Sequence, residues 1–413
     1  MLRAPAISSS TSPTSPQTAV GGGDGQFFGL LLQHIPISVN RGACIKWRSG
    51  QGKCGRSIAR SSTWSARWTI QKRRQNARMP VVRYCPLVGC LTLAACQILS
   101  GGIDPPIPVA RQSSLLIDVA SAVERHSAVI DSIWPGFWPA AHSYALYPYG
   151  TGTLVVSTEE IEGATPVPER DVPEILRGRA YYAPGRPYPE LPSSFTFDYQ
   201  VASRRMVAVS AYGPHGPMRD SVRATIFFLI HESFHDFQER TWSDFRSPPS
   251  KGVGPMTPLS ITAPTVQKGL AAERHALQAT VGAHSPGQMR ALYGQYLSLR
   301  TDRLRTMARS IGVGESFAER LEGVPTYVGF LGAFRSAGDA PDRLAAGLVE
   351  YLDEPGWEIA AQDSELRYGQ WHIYAAGAAK AFILERTGIE WRSKVAAGHS
   401  MDELLEAWAA ENQ

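Results

Sequence analysis

The sequence predicts an α+β architecture, with a small β-containing part followed by a mainly helical C-terminal part. Three observations carry this reading. The 413 residues are 43% hydrophobic, enough for a sizeable core. The stretch from Trp134 to Gly216 is rich in Pro, Gly and Tyr and holds short runs of strand-like alternation. From Ser221 onward the pattern is helical to the end of the chain, punctuated by capping residues.

Taken in order, residues 1–78 are rich in Ser, Gly, Thr and Arg and lack apolar periodicity, so they are expected to be disordered or no part of the natural product. Residues 79–95 have the layout of a secretory signal. Met79 offers a start, Arg83 a short positive region, and an apolar run too short to span a bilayer leads to small residues. The end of that run, Leu93-Ala94-Ala95-Cys96, resembles a bacterial lipobox. The resemblance implies lipidation at Cys96. With Gln97 rather than Asp next, it also implies an outer-membrane anchor facing the periplasm. Residues 96–112 then read as a tether, and 113–413 as the folded domain.

Within that domain a helix is expected over about 113–133, and β-runs at Gly152–Ser157, Ser194–Val201 and Met206–Ala211. The aromatic cluster from Trp134 to Trp138 either packs a corner or lines a substrate cleft. Helices are expected at 221–241, 265–282, 286–310, 314–335, 339–353, 369–387, 389–397 and 401–411, with a Pro, Gly and Ser loop over 242–264. Gly388 and Gly398 stand where C-terminal caps belong, and Ser400 to Glu403 reads as a capping box.

The formal charge of +4 is unevenly spread. Residues 1–95 hold 13 of the 41 basic residues and one acid, Asp24, so 28 basic and 36 acidic residues remain beyond them. A basic overall balance is therefore no sign of nucleic-acid binding, and no basic and aromatic interleaving in the body suggests it. All five cysteines lie within the first 96 residues, so a metal in the body must be held by His and carboxylates.

The chemistry lies at His231-Glu232-Ser233-Phe234-His235. Two histidines four residues apart on a helix project from one face, so both imidazoles reach one ion. Glu232 lies beside the ligand row, where it can take a proton from a metal-bound water. The surrounding segment, Ala224 to Phe237, is apolar and free of Pro and Gly.

This is the HExxH motif of zinc metallopeptidases. The extended metzincin and inverted signatures are absent, and position 238 is Gln. The segment from Ala318 to Gly329, with Glu322-Gly323 and Tyr327, resembles the glutamate-helix element of gluzincins, and Leu270 to Leu277 resembles another form of it. The resemblance implies a zincin-like fold and a third ligand drawn from Glu322, Glu273 or Glu319, with Glu322 the best match. Glu319 is otherwise its partner one turn earlier. Glu322 lies 87 residues after His235, a spacing that needs an inserted helical hairpin, which 265–310 could supply.

The resemblance further implies Zn2+, Glu232 as general base, a Tyr or His for the oxyanion (Tyr374 before Tyr327 and His372), and a peptide or protein substrate. Tyr368 to Gly377 reads as a helix closing over the site. Asp236 and Glu239 are candidates to orient the ligands, and an edge strand near Met206–Ala211 could pair with substrate. Two further readings stay open: an inactive zincin-like lipoprotein serving as a binding or scaffold module, and a hydrolase of non-peptide amides or esters.

Overall fold

The computed structural model describes residues 109–138, 142–187, 195–214, 216–245, 264–307, 309–353 and 365–411. The signal, the Cys96 anchor and most of the tether lie outside them. Among the described residues the architecture is mixed α+β, a small mixed sheet followed by a mostly helical part.

Helices α1 (Val109–Arg125) and α2 (Ser127–Asp131) precede the sheet, so the first helix begins within the stretch expected as tether. The strands are β1 (Tyr144–Tyr149), β2 (Gly152–Val156), β3 (Thr165–Pro166), β4 (Ala180–Ala183), β5 (Phe195–Val201) and β6 (Arg204–Ser210). Their order in the sheet is β3-β4-β2-β1-β6-β5. β1 runs antiparallel to β2 and parallel to β6, with Tyr144 opposite Val207 and Leu146 opposite Val209. Side chains alternate across the pleat. Tyr144, Leu146, Val207 and Val209 enter the main core, whereas Ala145, Tyr147, Met206 and Ala208 join a smaller cluster on the opposite face.

Two expectations need correction here. Sequence patterning does not reveal β1 and β4, because Tyr-Ala-Leu-Tyr-Pro-Tyr and Ala-Tyr-Tyr-Ala are largely buried on both faces and lack polar alternation. The run Met206–Ala211 is no edge: β6 is paired on one side with β1 and on the other with β5, so β5 takes the outer position.

The helical part comprises α3 (Ser221–Thr241), α4 (Pro264–Val281), α5 (Pro286–Arg305), α6 (Arg309–Ala318), a π-helical turn (Glu319–Gly323), α7 (Val324–Ser336), α8 (Pro341–Leu352), α9 (Glu365–Thr387), α10 (Arg392–Ala396) and α11 (Met401–Ala410). α4 and α5 pack on one another as a helical hairpin between His235 and Glu322. The helix expected from residue 314 starts at Arg309, with Gly312 and Gly314 inside it, because the chain turns at Thr306. Gly388 and Gly398 adopt positive φ (75° and 107°) just past the ends of α9 and α10, where a Cβ would be strained. The capping box of α11 is present, with Ser400 accepting from the Glu403 amide and the Glu403 side chain accepting from the Ser400 amide.

α3 lies against β6, β5, α1 and α7, and it is buried from Ala224 to Gln238 except at Asp236. A helix covered on nearly every side belongs inside a protein, and the apolar residues around the two histidines suit it to that place. Asp220 caps its start by accepting from the Arg223 amide at 2.8 Å. The Trp134 cluster packs the corner behind this helix. Trp134 meets Phe234 edge to face at 5.1 Å and Trp391 at 5.4 Å, and Trp134, Phe137 and Trp138 are all buried.

Candidate metal centre

α3 and the π turn bring the predicted ligands together. The His231 and His235 Nε2 atoms lie 3.0 Å apart. Glu322 Oε2 lies 3.1 Å from His235 Nε2 and 3.9 Å from His231 Nε2. Glu232 Oε1 is 4.0 Å from His231 Nε2. All four side chains are at most 5% exposed.

Close helix packing makes this approach possible. A Cβ on Gly329 would lie 2.9 Å from the Phe227 carbonyl oxygen, so α7 can seat against α3 only with glycine there. The π turn seats on α9 in the same way, with the Gly323 and Gly377 backbones in contact and no room for a Cβ on either.

The partners of the two rings fix which nitrogens face inward. The Gln238 amide nitrogen donates to the Leu321 carbonyl at 3.2 Å, which leaves its oxygen 2.8 Å from His235 Nδ1, so that nitrogen carries the proton. The Thr326 hydroxyl donates to the Glu322 carbonyl at 2.7 Å and presents a lone pair to His231 Nδ1 at 3.4 Å. Both Nε2 lone pairs therefore point at the space shared with Glu322. Glu322 Oε2 is buried without a well-aligned donor among the described residues. Three converging acceptors are costly to bury unless a cation lies between them.

Burial pulls the His235 pKa down, but the Glu322 carboxylate outweighs it, and the pKa ends above its ordinary value. His231 goes the other way, pushed well below its ordinary value by burial and then by His235. Zinc ligands about 2.0–2.1 Å from a tetrahedral ion are separated by roughly 3.3 Å. The observed separations of 3.0, 3.1 and 3.9 Å bracket that value, so the donor set and its spacing fit zinc.

No family model, no curated protein and no solved structure matches the chain.

The other predicted residues divide clearly. The Tyr374 ring stacks on His231, with centroids 5.9 Å apart and planes 15° from parallel. Tyr327 instead packs against Trp391 at 6.2 Å. Glu273 is held by Arg303, which donates from Nε at 2.5 Å and from a terminal nitrogen at 2.9 Å. His372 lies 3.8 Å from Glu273 and 3.7 Å from Glu315. These three form a second buried group with metal-ligand chemistry, but the Arg303 guanidinium bridges both carboxylates and supplies the positive charge there. Glu319 is bound by Arg300 at 2.7 Å and Lys380 at 2.6 Å.

Asp236 and Glu239 do not orient the ligands. Asp236 pairs with Arg240 and Glu239 with Arg205, each at 3.1 Å on the outer side of α3. The groups that meet the two rings are Gln238 and Thr326. Gln238 sits three residues past His235, on the same helix face, which is a signal the sequence carried. Two clefts, of about 770 and 570 Å³, lie elsewhere and are not lined by His231, Glu232, His235 or Glu322.

Proposed function

We propose that the chain is a zinc-dependent hydrolase of the gluzincin kind, with a zincin-like fold and peptide bonds as its substrate. The observation that carries this reading is the convergence of His231 Nε2, His235 Nε2 and Glu322 Oε2 beside the Glu232 carboxylate. His231, His235 and Glu322 hold the ion. Bound there, zinc supplies a Lewis acid for the scissile carbonyl and lowers the pKa of water.

The chain's own groups do the rest. Glu232, fully buried on an apolar helix, accepts the proton of the attacking water and returns it to the leaving amine. Gln238 and Thr326 hold the two rings in the tautomer that leaves Nε2 free. Tyr374, stacked on His231, offers a hydroxyl for the oxyanion.

The test is zinc content by mass spectrometry on the wild type beside His235→Ala, Glu322→Ala and Glu273→Ala. About one zinc per chain is expected, lost in His235→Ala and Glu322→Ala and kept in Glu273→Ala. A wild type that takes up no zinc when it is supplied would sink the reading.

A second reading, a metal-holding scaffold without catalysis, is favoured by one observation: the four site residues are nearly inaccessible among the described residues. Peptide cleavage lost in Glu232→Gln, with zinc retained, decides against it.

A further inference from the structure

Beside the metal centre the helical part buries a network of ions. Arg300 donates to Glu319 Oε1 at 2.7 Å. Lys380 donates to Glu319 Oε2 at 2.6 Å and lies 2.9 Å from Asp402 Oδ1, which also accepts from the Tyr293 hydroxyl at 2.9 Å. Lys380 is 0% exposed, and its Nζ lies 5.1 Å from the centre of the Tyr296 ring. Burying such ions costs desolvation, and apolar residues of similar volume often serve stability as well or better. The place of the network in the fold suggests a different use.

Glu319 is the first residue of the π turn, and Glu322 is the fourth. On an α-helix, residues three apart share a face. The wider π winding turns them apart, so one carboxylate faces Arg300 and Lys380 while the other faces the two histidines. The intervening residues are tied as well. The Arg320 guanidinium bonds Asp244 and the Val395 carbonyl, and the Leu321 carbonyl accepts from Gln238.

We propose that Lys380 is a positioning residue: by clamping Glu319 together with Arg300, it holds the π turn in the winding that aims Glu322 at His231 and His235. This rests on the metal-centre reading above. Metal affinity should then depend on a lysine whose ammonium bonds Glu319 and Asp402 rather than a ligand.

The experiment uses the full chain. Zinc affinity is measured by chelator competition and the ligand field by the visible spectrum of the cobalt-loaded protein, for wild type and Lys380→Met. Thermal unfolding in chelator reports stability separately. Zinc binding about 10–100-fold weaker, with altered cobalt bands, is the expected result. A merely structural lysine would lower the unfolding temperature and leave the affinity and bands of the folded protein intact, and that result overturns the proposal. Should Lys380→Met fail to fold, the double variant Glu319→Gln with Lys380→Met, which removes both charges of the pair, takes its place under the same criteria. A wild type that binds no zinc sinks the metal reading and this proposal together. A wild type that binds zinc, with unchanged affinity in the variant, sinks this proposal alone.

Discussion

Replacing Gln238 with Leu isolates the link between the histidine helix and the π turn. The side chain is fully buried and makes two hydrogen bonds, from His235 Nδ1 at 2.8 Å and to the Leu321 carbonyl at 3.2 Å. Leucine fills similar space but strands both partners. A buried polar group without a partner costs about 1–3 kcal/mol, so with two stranded, metal-free stability should fall by about 2–6 kcal/mol. Loss of the ring's orienting partner should also weaken zinc about 10–100-fold.

Ligand-induced stabilisation separates the two effects. Zinc at a thousand times the wild-type Kd adds about 4.1 kcal/mol, and a hundredfold weaker site gains only about 1.4 kcal/mol from the same zinc. Urea unfolding with and without zinc, beside chelator competition, measures both quantities. An affinity within threefold of wild type, with an equal zinc-induced gain, would refute the claim that Gln238 orients His235.

Three further outcomes are expected. Glu232→Gln should keep its zinc and lose about 10²–10⁴-fold in peptide hydrolysis, checked by cleavage of a peptide library. Gly377→Ala should destabilise the fold by about 1–3 kcal/mol and weaken zinc as well, since the added methyl meets the Glu319 carbonyl oxygen and displaces the π turn; calorimetry and zinc titration check it. Burial would raise the Asp402 pKa, but Arg300 and Lys380 outweigh it and hold it at about 2 against an ordinary 3.8. The unfolded chain therefore binds this proton more readily, so its contribution is full above about pH 4 and is lost as the pH falls toward 2. Asp402→Asn should flatten that acid limb in urea midpoints taken from about pH 5 down to about pH 2.5.

His231, Glu232 and His235 were legible in the sequence because their relation is local: four residues on one helix fix a shared face whatever else the fold does. The order of the parts, the apolar burial of the motif helix, the caps at Gly388, Gly398 and Ser400, and the hairpin between the motif and Glu322 follow equally from short-range patterns. What the tertiary structure decided depends on contacts between distant segments. Motif resemblance ranked Glu322 first, but Glu319 and Glu273 each carry the same carboxylate on a helical segment and stayed open. Packing separates the three, by setting the π turn against Gly377, giving Glu319 to Lys380 and Glu273 to Arg303, and leaving Glu322 to face the histidines. The choice of Gln238 over Glu239 as the partner of His235 has the same cause. It depends on the Leu321 carbonyl, 83 residues away along the chain, and no local pattern encodes where that oxygen lies.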